Sequence, residues 1–150
     1  MNNKTIIGID PGMSGGYCYN LEGKRYVHKW VDAPDTFAIL ESIMTYCMLE
    51  NREVHAYIEK VSASPIMGQS SAFKFGYNFG QWNSILVALR IPYTEVVPQK
   101  WQMGLNKPKD LKGAKLKRWL KEKAIEKFPK HKITLATCDA LLLYDYGMKQ

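Results

Sequence analysis

Residues 5–16 read TIIGIDPGMSGG, and this stretch decides the fold. Its apolar run ends at Asp10 and is followed at once by Pro11-Gly12, a pattern that predicts a β-strand with a carboxylate at its carboxyl end. Functional side chains commonly lie at such sheet edges. Because an Asp before a Pro-Gly turn is also a common turn-forming residue, the sequence leaves both a functional and a turn-forming role open for Asp10.

The segments around this strand predict an α/β fold. Residues 16–20 and 25–31 are β-rich and follow glycine-containing turns, which predicts an antiparallel meander. A helix is predicted to begin at a Pro34-Asp35 cap and to end near Glu50. Apolar spacing then predicts strands over 54–59 and 93–97 and helices over 70–89, 115–127 and 137–146. The order βββ-α-β-α-β-α-α predicts one domain over residues 1–150, in which helices cover a mixed sheet of three antiparallel strands and then two parallel strands.

Two further acids stand at the ends of apolar elements. Glu59 closes the predicted strand 54–59, where pairing with Lys60 or with solvent is the alternative to a functional role. Asp139 opens the apolar run 140–143, where a carboxylate is costly unless it is paired, binds metal or caps the helix. Hard divalent cations need several converging carboxylate oxygens. Asp10, Glu59 and Asp139 together therefore predict a magnesium site.

The positive charge of the chain is concentrated in one segment. Residues 107–132 hold eleven Lys and Arg side chains against three acids, whereas the formal charge of the whole chain is only +7. Such concentration indicates a polyanionic partner, although a solvated helix face is the alternative.

Cysteine usage and hydropathy indicate an intracellular protein. Cys18, Cys47 and Cys138 form neither an even disulfide set nor a closely spaced ligand pair, which predicts buried free thiols. The N-terminus lacks a secretory pattern, and no apolar run approaches the ~18 residues of a membrane span. We expect a cytoplasmic protein that does not contact a membrane.

Four segments of the chain carry a family resemblance. They are IIGIDPGMSGGY (6–17), YIEKV (57–61), VVPQKWQ (96–102) and ATCDALLLYDYG (136–147). In this order and spacing they resemble the RuvC-type Holliday junction resolvases, especially those encoded by phages, across nearly the whole chain. The resemblance implies a ribonuclease H-like fold and an endonuclease of DNA recombination and repair, acting in a bacterial or phage-infected cell. It also implies that Asp10, Glu59 and Asp139 are catalytic and bind two Mg²⁺ ions, with Mn²⁺ able to substitute.

One part of the family pattern is missing. The resemblance implies a fourth carboxylate about one helical turn before the Asp139-Ala140 pair, where this chain has Leu135 and Ala136. Asp145 lies about 600° further around a helix of 3.6 residues per turn, so it should face away. Three alternatives remain for the missing carboxylate. A weaker ligand could replace it, water could fill its position, or the chain could be substituted and inactive. The candidate weaker ligands are His131, Thr134 and Thr137.

Several residues are predicted to bind DNA. Ile66 and Met67 lie in the loop 61–71 that follows Glu59. They could wedge between base steps, since the resemblance implies that this loop probes the junction centre, or they could pack on the neighbouring helix. Trp101 is expected in the core or under lysine stems. Backbone phosphates are the predicted partners of six cations, which are Lys100, Lys109, Lys112, Lys115, Lys117 and Arg118.

The helix predicted over 70–89 has an aromatic surface with two glycines. It includes Phe73, Phe75, Tyr77, Phe79 and Trp82. Such a face could bury against a second copy or could pack within the monomer. The resemblance implies a homodimer that presents two active sites to a four-way junction.

The leading hypothesis is therefore a metal-dependent resolvase of four-way (Holliday) junctions that cuts paired strands by two-metal hydrolysis. A broader branched-DNA or flap nuclease is the first alternative. A junction-binding protein with impaired cleavage is the second, because the fourth carboxylate is absent. A phosphate-handling ATPase or sugar kinase domain is the last, since no second phosphate loop follows the Asp10 turn.

Overall fold

The structure, a computed structural model, describes residues 3–62 and 64–150. It contains one five-stranded sheet with strand order β3-β2-β1-β4-β5. The first three strands in sequence pair antiparallel, and β4 and β5 add to β1 in parallel. The predicted mixed sheet is confirmed. The strands are β1 (Lys4–Asp10), β2 (Gly16–Leu21), β3 (Lys24–Lys29), β4 (Glu53–Glu59) and β5 (Tyr93–Val96).

Helices cover both faces of the sheet. They are α1 (Ala33–Leu49), α2 (Gln69–Ala88), α3 (Pro98–Gln102), α4 (Gly113–Lys127) and α5 (Cys138–Gly147), with a 3₁₀ turn at Met103–Leu105. Helix α3 was not predicted, because five residues are too few to show a helical period. The predicted cap of α1 was also misplaced: the Asp32 side chain accepts the hydrogen bond of the Asp35 N–H at 2.8 Å, and Pro34 lies inside the first turn.

The sheet separates two apolar cores. Ile7 and Ile9 of β1 pack with residues of α1 and α2, whereas Ile6 packs on the opposite face with α4 and α5. Because side chains alternate along a strand, Gly8 and Asp10 share the face of Ile6. The same alternation along β4 places Glu59 on the face of Tyr57. The acids of both strands therefore lie on the side of the sheet that α5 covers.

Helix α5 lies directly against β1. A Cβ atom on Gly8 would overlap the Ala140 carbonyl oxygen and would lie 2.5 Å from the Tyr144 nitrogen. Both are backbone atoms that cannot rotate away. Gly8 therefore permits the close contact that holds the start of α5 beside the end of β1.

The three cysteines are buried free thiols, as predicted. None of the helices within residues 3–62 and 64–150 is both long enough and apolar enough to cross a bilayer.

Candidate active site

Three carboxylates meet at one edge of the sheet. Asp10 ends β1, Glu59 ends the adjacent parallel strand β4, and Asp139 lies in the first turn of α5. Asp10 and Asp139 are only 8% and 7% exposed, and Glu59 is half-buried. The structure thus brings together the three acids that the sequence singled out.

The contacts around these acids address the other roles that the sequence left open, which are helix capping by Asp139, pairing of Glu59 with Lys60 and turn formation by Asp10. Thr137, not Asp139, occupies the N-cap position of α5. Lys60 lies 3.9 Å from Glu95, while Glu59 accepts its hydrogen bond from Trp101. The turn after Asp10 is closed by a backbone bond from the Gly15 N–H to the Gly12 oxygen at 3.0 Å.

A lysine of α4 reaches into this acidic cluster. The Lys117 ammonium donates a hydrogen bond to the Asp139 carboxylate and lies 3.7 Å from Oδ2 of Asp10. The Cys138 thiol donates to the other Asp139 oxygen at 3.3 Å. Lys117 therefore pairs with the two most buried acids, a role that its place among the cations of residues 107–132 did not reveal.

The cluster shifts the pKa values of its members. Burial raises the pKa of Asp10 well above its usual range, and the Asp139 charge adds to the rise while Lys117 opposes it. Burial alone would lower the pKa of Lys117, but the carboxylates of Asp10 and Asp139 outweigh it and raise that pKa. The site therefore holds more negative charge than one ammonium can offset, a property that favours binding of a further cation.

Glu59 has its own positioning partner. The indole Nε1–H of Trp101 donates a hydrogen bond to Glu59 Oε2 at 2.8 Å, and the Trp101 ring is buried. Burial and the Asp139 charge raise the pKa of Glu59 to about 7, and the Trp101 hydrogen bond counters part of this rise. Trp101 thus holds the carboxylate in place and stabilises its charged form.

Trp101→Phe is expected to raise the pKa of Glu59 above the wild-type value. The phenylalanine ring fills most of the same space but cannot donate a hydrogen bond, so the charged carboxylate loses stabilisation. An NMR titration of isotope-labelled Glu59 in EDTA measures this pKa directly. An unchanged or lowered pKa would show that the indole hydrogen bond does not control this carboxylate.

A fully buried asparagine anchors the turn after Asp10. The Gly12 N–H donates to Asn78 Oδ1 at 2.6 Å, and Asn78 has no exposed surface. Sequence reasoning missed this residue. The sequence did contain a signal for it. Asn78 is spaced four residues from Trp82 and eight from Leu86, on the buried side of α2, and a buried polar group needs a hydrogen-bond partner.

A cleft of about 660 Å³ opens beside Asp10. Leu135 and Ala136 form part of its wall, so apolar side chains stand at the place of the fourth family carboxylate. Asp145 forms ion pairs with Lys127 at 3.0 Å and Lys149 at 2.7 Å, away from the cluster as predicted.

The other residues considered as a replacement ligand have different partners. Thr134 and Thr137 hydrogen-bond to each other. His131 lies 3.4 Å from Arg25, at the far end of α5.

The carboxylates fit a metal ion in donor chemistry. Several buried carboxylate oxygens are the donors that Mg²⁺ and Mn²⁺ prefer. Burial, together with the Asp139 charge, raises the pKa values of Asp10 and Glu59, and a bound cation would favour their charged forms. Within residues 3–62 and 64–150, however, no three His, Cys, Asp or Glu side chains already have the spacing of a metal-binding group. Side-chain adjustment around Lys117 would have to accompany metal binding.

The predicted wedge residues differ in exposure. Ile66 is 95% exposed, whereas Met67 is half-buried and lines a groove with Glu59 and Phe75. Ala63 of the same loop lies outside the described residues.

The predicted phosphate-binding cations, apart from Lys117, are surface residues. They are exposed and have no acid within 4.0 Å in the described part of the chain; they are Lys100, Lys109, Lys112, Lys115 and Arg118. Leu120 and Ala124 of α4 are buried, so the charged side of this helix faces solvent.

The aromatic residues of α2 divide between core and surface. Trp82 is fully buried, and Phe75 and Phe79 are half-buried. Phe73 and Tyr77 are 74% and 61% exposed, and their rings stack at a centroid distance of 6.3 Å. Gly76 and Gly80 have open space where a Cβ would stand.

Comparison with known proteins identifies the fold. No protein-family model and no curated protein sequence matches the chain. The Thermus thermophilus RuvC structure matches at a TM-score of 0.56 and 16% identity, over 93% of this chain and 90% of that chain. RuvC from the same organism, in complex with a Holliday junction substrate, matches at 0.57 and 15% over the same shares. The yeast mitochondrial Holliday junction resolvase Ydc2 matches at 0.43 and 16%, over 96% and 78%.

The chain therefore has the fold of RuvC, a ribonuclease H-like mixed sheet with helices, as the motif resemblance implied.

Proposed function

We propose that this chain is a metal-dependent endonuclease that resolves four-way DNA junctions. The observation that carries the proposal is the convergence of Asp10, Glu59 and Asp139 at one sheet edge of a RuvC fold. The motif resemblance and the RuvC structure with a Holliday junction substrate support the choice of substrate.

The three carboxylates would hold the metal. When bound, divalent cations would supply the charge that activates an attacking water and stabilises the leaving oxygen. Trp101 orients Glu59 for this task, and Asn78 holds the turn that positions Asp10. Lys117 pairs with Asp10 and Asp139 in the metal-free protein, and we infer that it turns toward the DNA phosphate when a cation takes its place.

The DNA would lie across the charged side of α4. Lys115 and Arg118 of α4, and Lys112 just before it, are exposed and have no acid within 4.0 Å in the described part of the chain. Such cations suit sequence-independent contacts with phosphates, and the exposed Ile66 could enter a base step. A homodimer through α2 would present two such sites to a two-fold symmetric junction. The exposed stack of Phe73 and Tyr77 supports this arrangement.

Cleavage of labelled DNA tests the proposal. An immobile four-way junction, a matched duplex and a flap are incubated with the wild-type chain in Mg²⁺, Mn²⁺ or EDTA. Paired nicks in the junction, in metal only, are expected. Equal cleavage of the flap would favour a broader branched-DNA nuclease, and tight junction binding without cleavage would indicate a non-cutting binding protein.

Ala136→Asp is expected to strengthen Mg²⁺ binding by roughly tenfold, because a further carboxylate in the cleft wall adds ligand charge. Ala136 lines the same cleft as Asp10. Isothermal titration with Mg²⁺ measures the change, and Ala136→Asn is the control of similar size without charge. Equal affinities of the two variants would show that position 136 does not face the metal.

A further inference from the structure

A second cavity lies at the other end of the sheet. It has a volume of about 670 Å³ and is lined in part by Asn20, Arg25 and Tyr144. Asn20 accepts from the Ile6 N–H and donates to the Lys4 oxygen, so the cavity lies at the start of β1. Six residues of strand separate Lys4 from Asp10, or about 20 Å at 3.3 Å per residue.

The lining of this cavity is strongly cationic. Four cations line it. Lys24 and Arg25 lie at the start of β3, Arg52 lies in the α1–β4 turn, and Lys130 lies in the segment after α4. Within residues 3–62 and 64–150, none of these four cations has an acid within 4.0 Å. The one acid of the lining is Glu22.

Glu22 offsets at most one of these four positive charges. Its carboxylate accepts a hydrogen bond from the Tyr46 hydroxyl at 2.7 Å. Because the remaining like charges repel one another, a bound anion would stabilise the cavity.

Arg25 is held in a fixed orientation. Its guanidinium carbon lies 4.3 Å from the Phe128 ring centroid and 4.8 Å from that of Tyr144. One of its terminal nitrogens lies 3.4 Å from His131 Nε2. Because the guanidinium is already ordered by these rings, little conformational entropy is lost when it binds a ligand.

Two arginines of the cavity lining each have an unused hydrogen-bond donor. The Nε atoms of Arg25 and Arg52 are both buried without a hydrogen-bond partner in the described part of the chain. Buried donors are normally satisfied. An anion with several oxygens could accept from two guanidinium groups at once.

We propose that this cavity binds a phosphate group of a nucleotide. Guanidinium forks match phosphate oxygens in geometry, and the volume is in the range of small-molecule sites. A free nucleotide and a DNA backbone are the two sources of the same group. The proposal does not rest on nuclease activity, because the cavity shares no residue with the cleft beside Asp10.

NMR of the full chain in EDTA tests the proposal. Deoxyadenosine monophosphate is titrated while the ring signals of His131 are followed. The double variant Lys24→Gln, Lys130→Gln removes two exposed cations, and it is expected to weaken binding at least about tenfold, since a charge-assisted hydrogen bond contributes roughly that factor. Lys121→Gln, Lys123→Gln makes the same charge change on α4 and should leave the affinity within about twofold.

Competition between the nucleotide and duplex DNA identifies the source of the phosphate group. Displacement of the nucleotide from the wild-type chain by short duplex DNA would assign the cavity to the DNA backbone. Saturable nucleotide binding that duplex DNA does not displace would assign it to a free nucleotide. The proposal is overturned if the nucleotide leaves the His131 signals unchanged, or if the cavity variant and the α4 control bind equally well.

Discussion

Replacing Glu59 with glutamine is expected to reduce junction cleavage by at least about a hundredfold while leaving junction binding within about twofold. The expected loss reflects the removal of one metal-binding charge from the site, and a single electrostatic contact can contribute a factor of roughly a hundred to a thousand. Cleavage rates in Mg²⁺ and binding constants in EDTA, measured on the same labelled junction, give both quantities.

The structure indicates that Glu59→Gln removes the charge without disturbing the neighbouring side chains. A glutamine amide oxygen can still accept the hydrogen bond that Trp101 donates to Glu59, so the local packing is retained. Glu95→Gln on the neighbouring strand is the matched control, because Glu95 is exposed and lies beside Lys60. Equal loss of cleavage and of binding in Glu59→Gln would contradict a metal-binding role.

Gly8→Ala is expected to lower the free energy of unfolding by about 3 kcal/mol. The added Cβ would overlap the Ala140 carbonyl oxygen and the backbone at Tyr144. Neither obstacle is a flexible side chain, so α5 would have to move away from β1. Urea unfolding followed by circular dichroism measures the change.

Gly80→Ala is the control for this substitution. Gly80 is in α2, and a Cβ there meets nothing within 4 Å. Alanine is expected to stabilise that helix by up to about 1 kcal/mol, because it has the higher helix propensity. A Gly8→Ala protein as stable as the wild type would contradict the close contact between α5 and β1 at Gly8.

Most of the fold could be predicted from local patterns in this one sequence. Strand alternation and turn residues located all five strands, since they reflect local backbone preferences. Asp10 and Glu59 were grouped because each ends an apolar strand and because a divalent cation needs several carboxylate oxygens. The parallel pairing of β1 with β4 is what places both at one edge. Asp139 was found from the cost of an acid at the start of an apolar helix.

The partners of these acids could not be predicted, because they depend on tertiary packing. Lys117 is one of many lysines between residues 107 and 132, and nothing local distinguishes the one whose ammonium reaches Asp139. Trp101 was expected in the core, where its ring lies, but the direction of its indole N–H depends on how α3 sits beside β4. Five-residue α3 itself was missed.

The hydrogen bond between Asn78 and Gly12 makes the turn after Asp10 sensitive to the position of α2. Asn78 is buried and its Oδ1 is 2.6 Å from the Gly12 nitrogen, so there is little slack in the connection. A shift of α2 along its axis by one ångström would either break this bond or carry the loop behind Asp10 with it. The exposed half of the same helix, around Phe73 and Tyr77, is thus mechanically linked to the geometry of the acids. We therefore expect a partner bound on that half to act on the turn after Asp10 through Asn78, as well as through Lys74 and Phe75, which line the cleft itself.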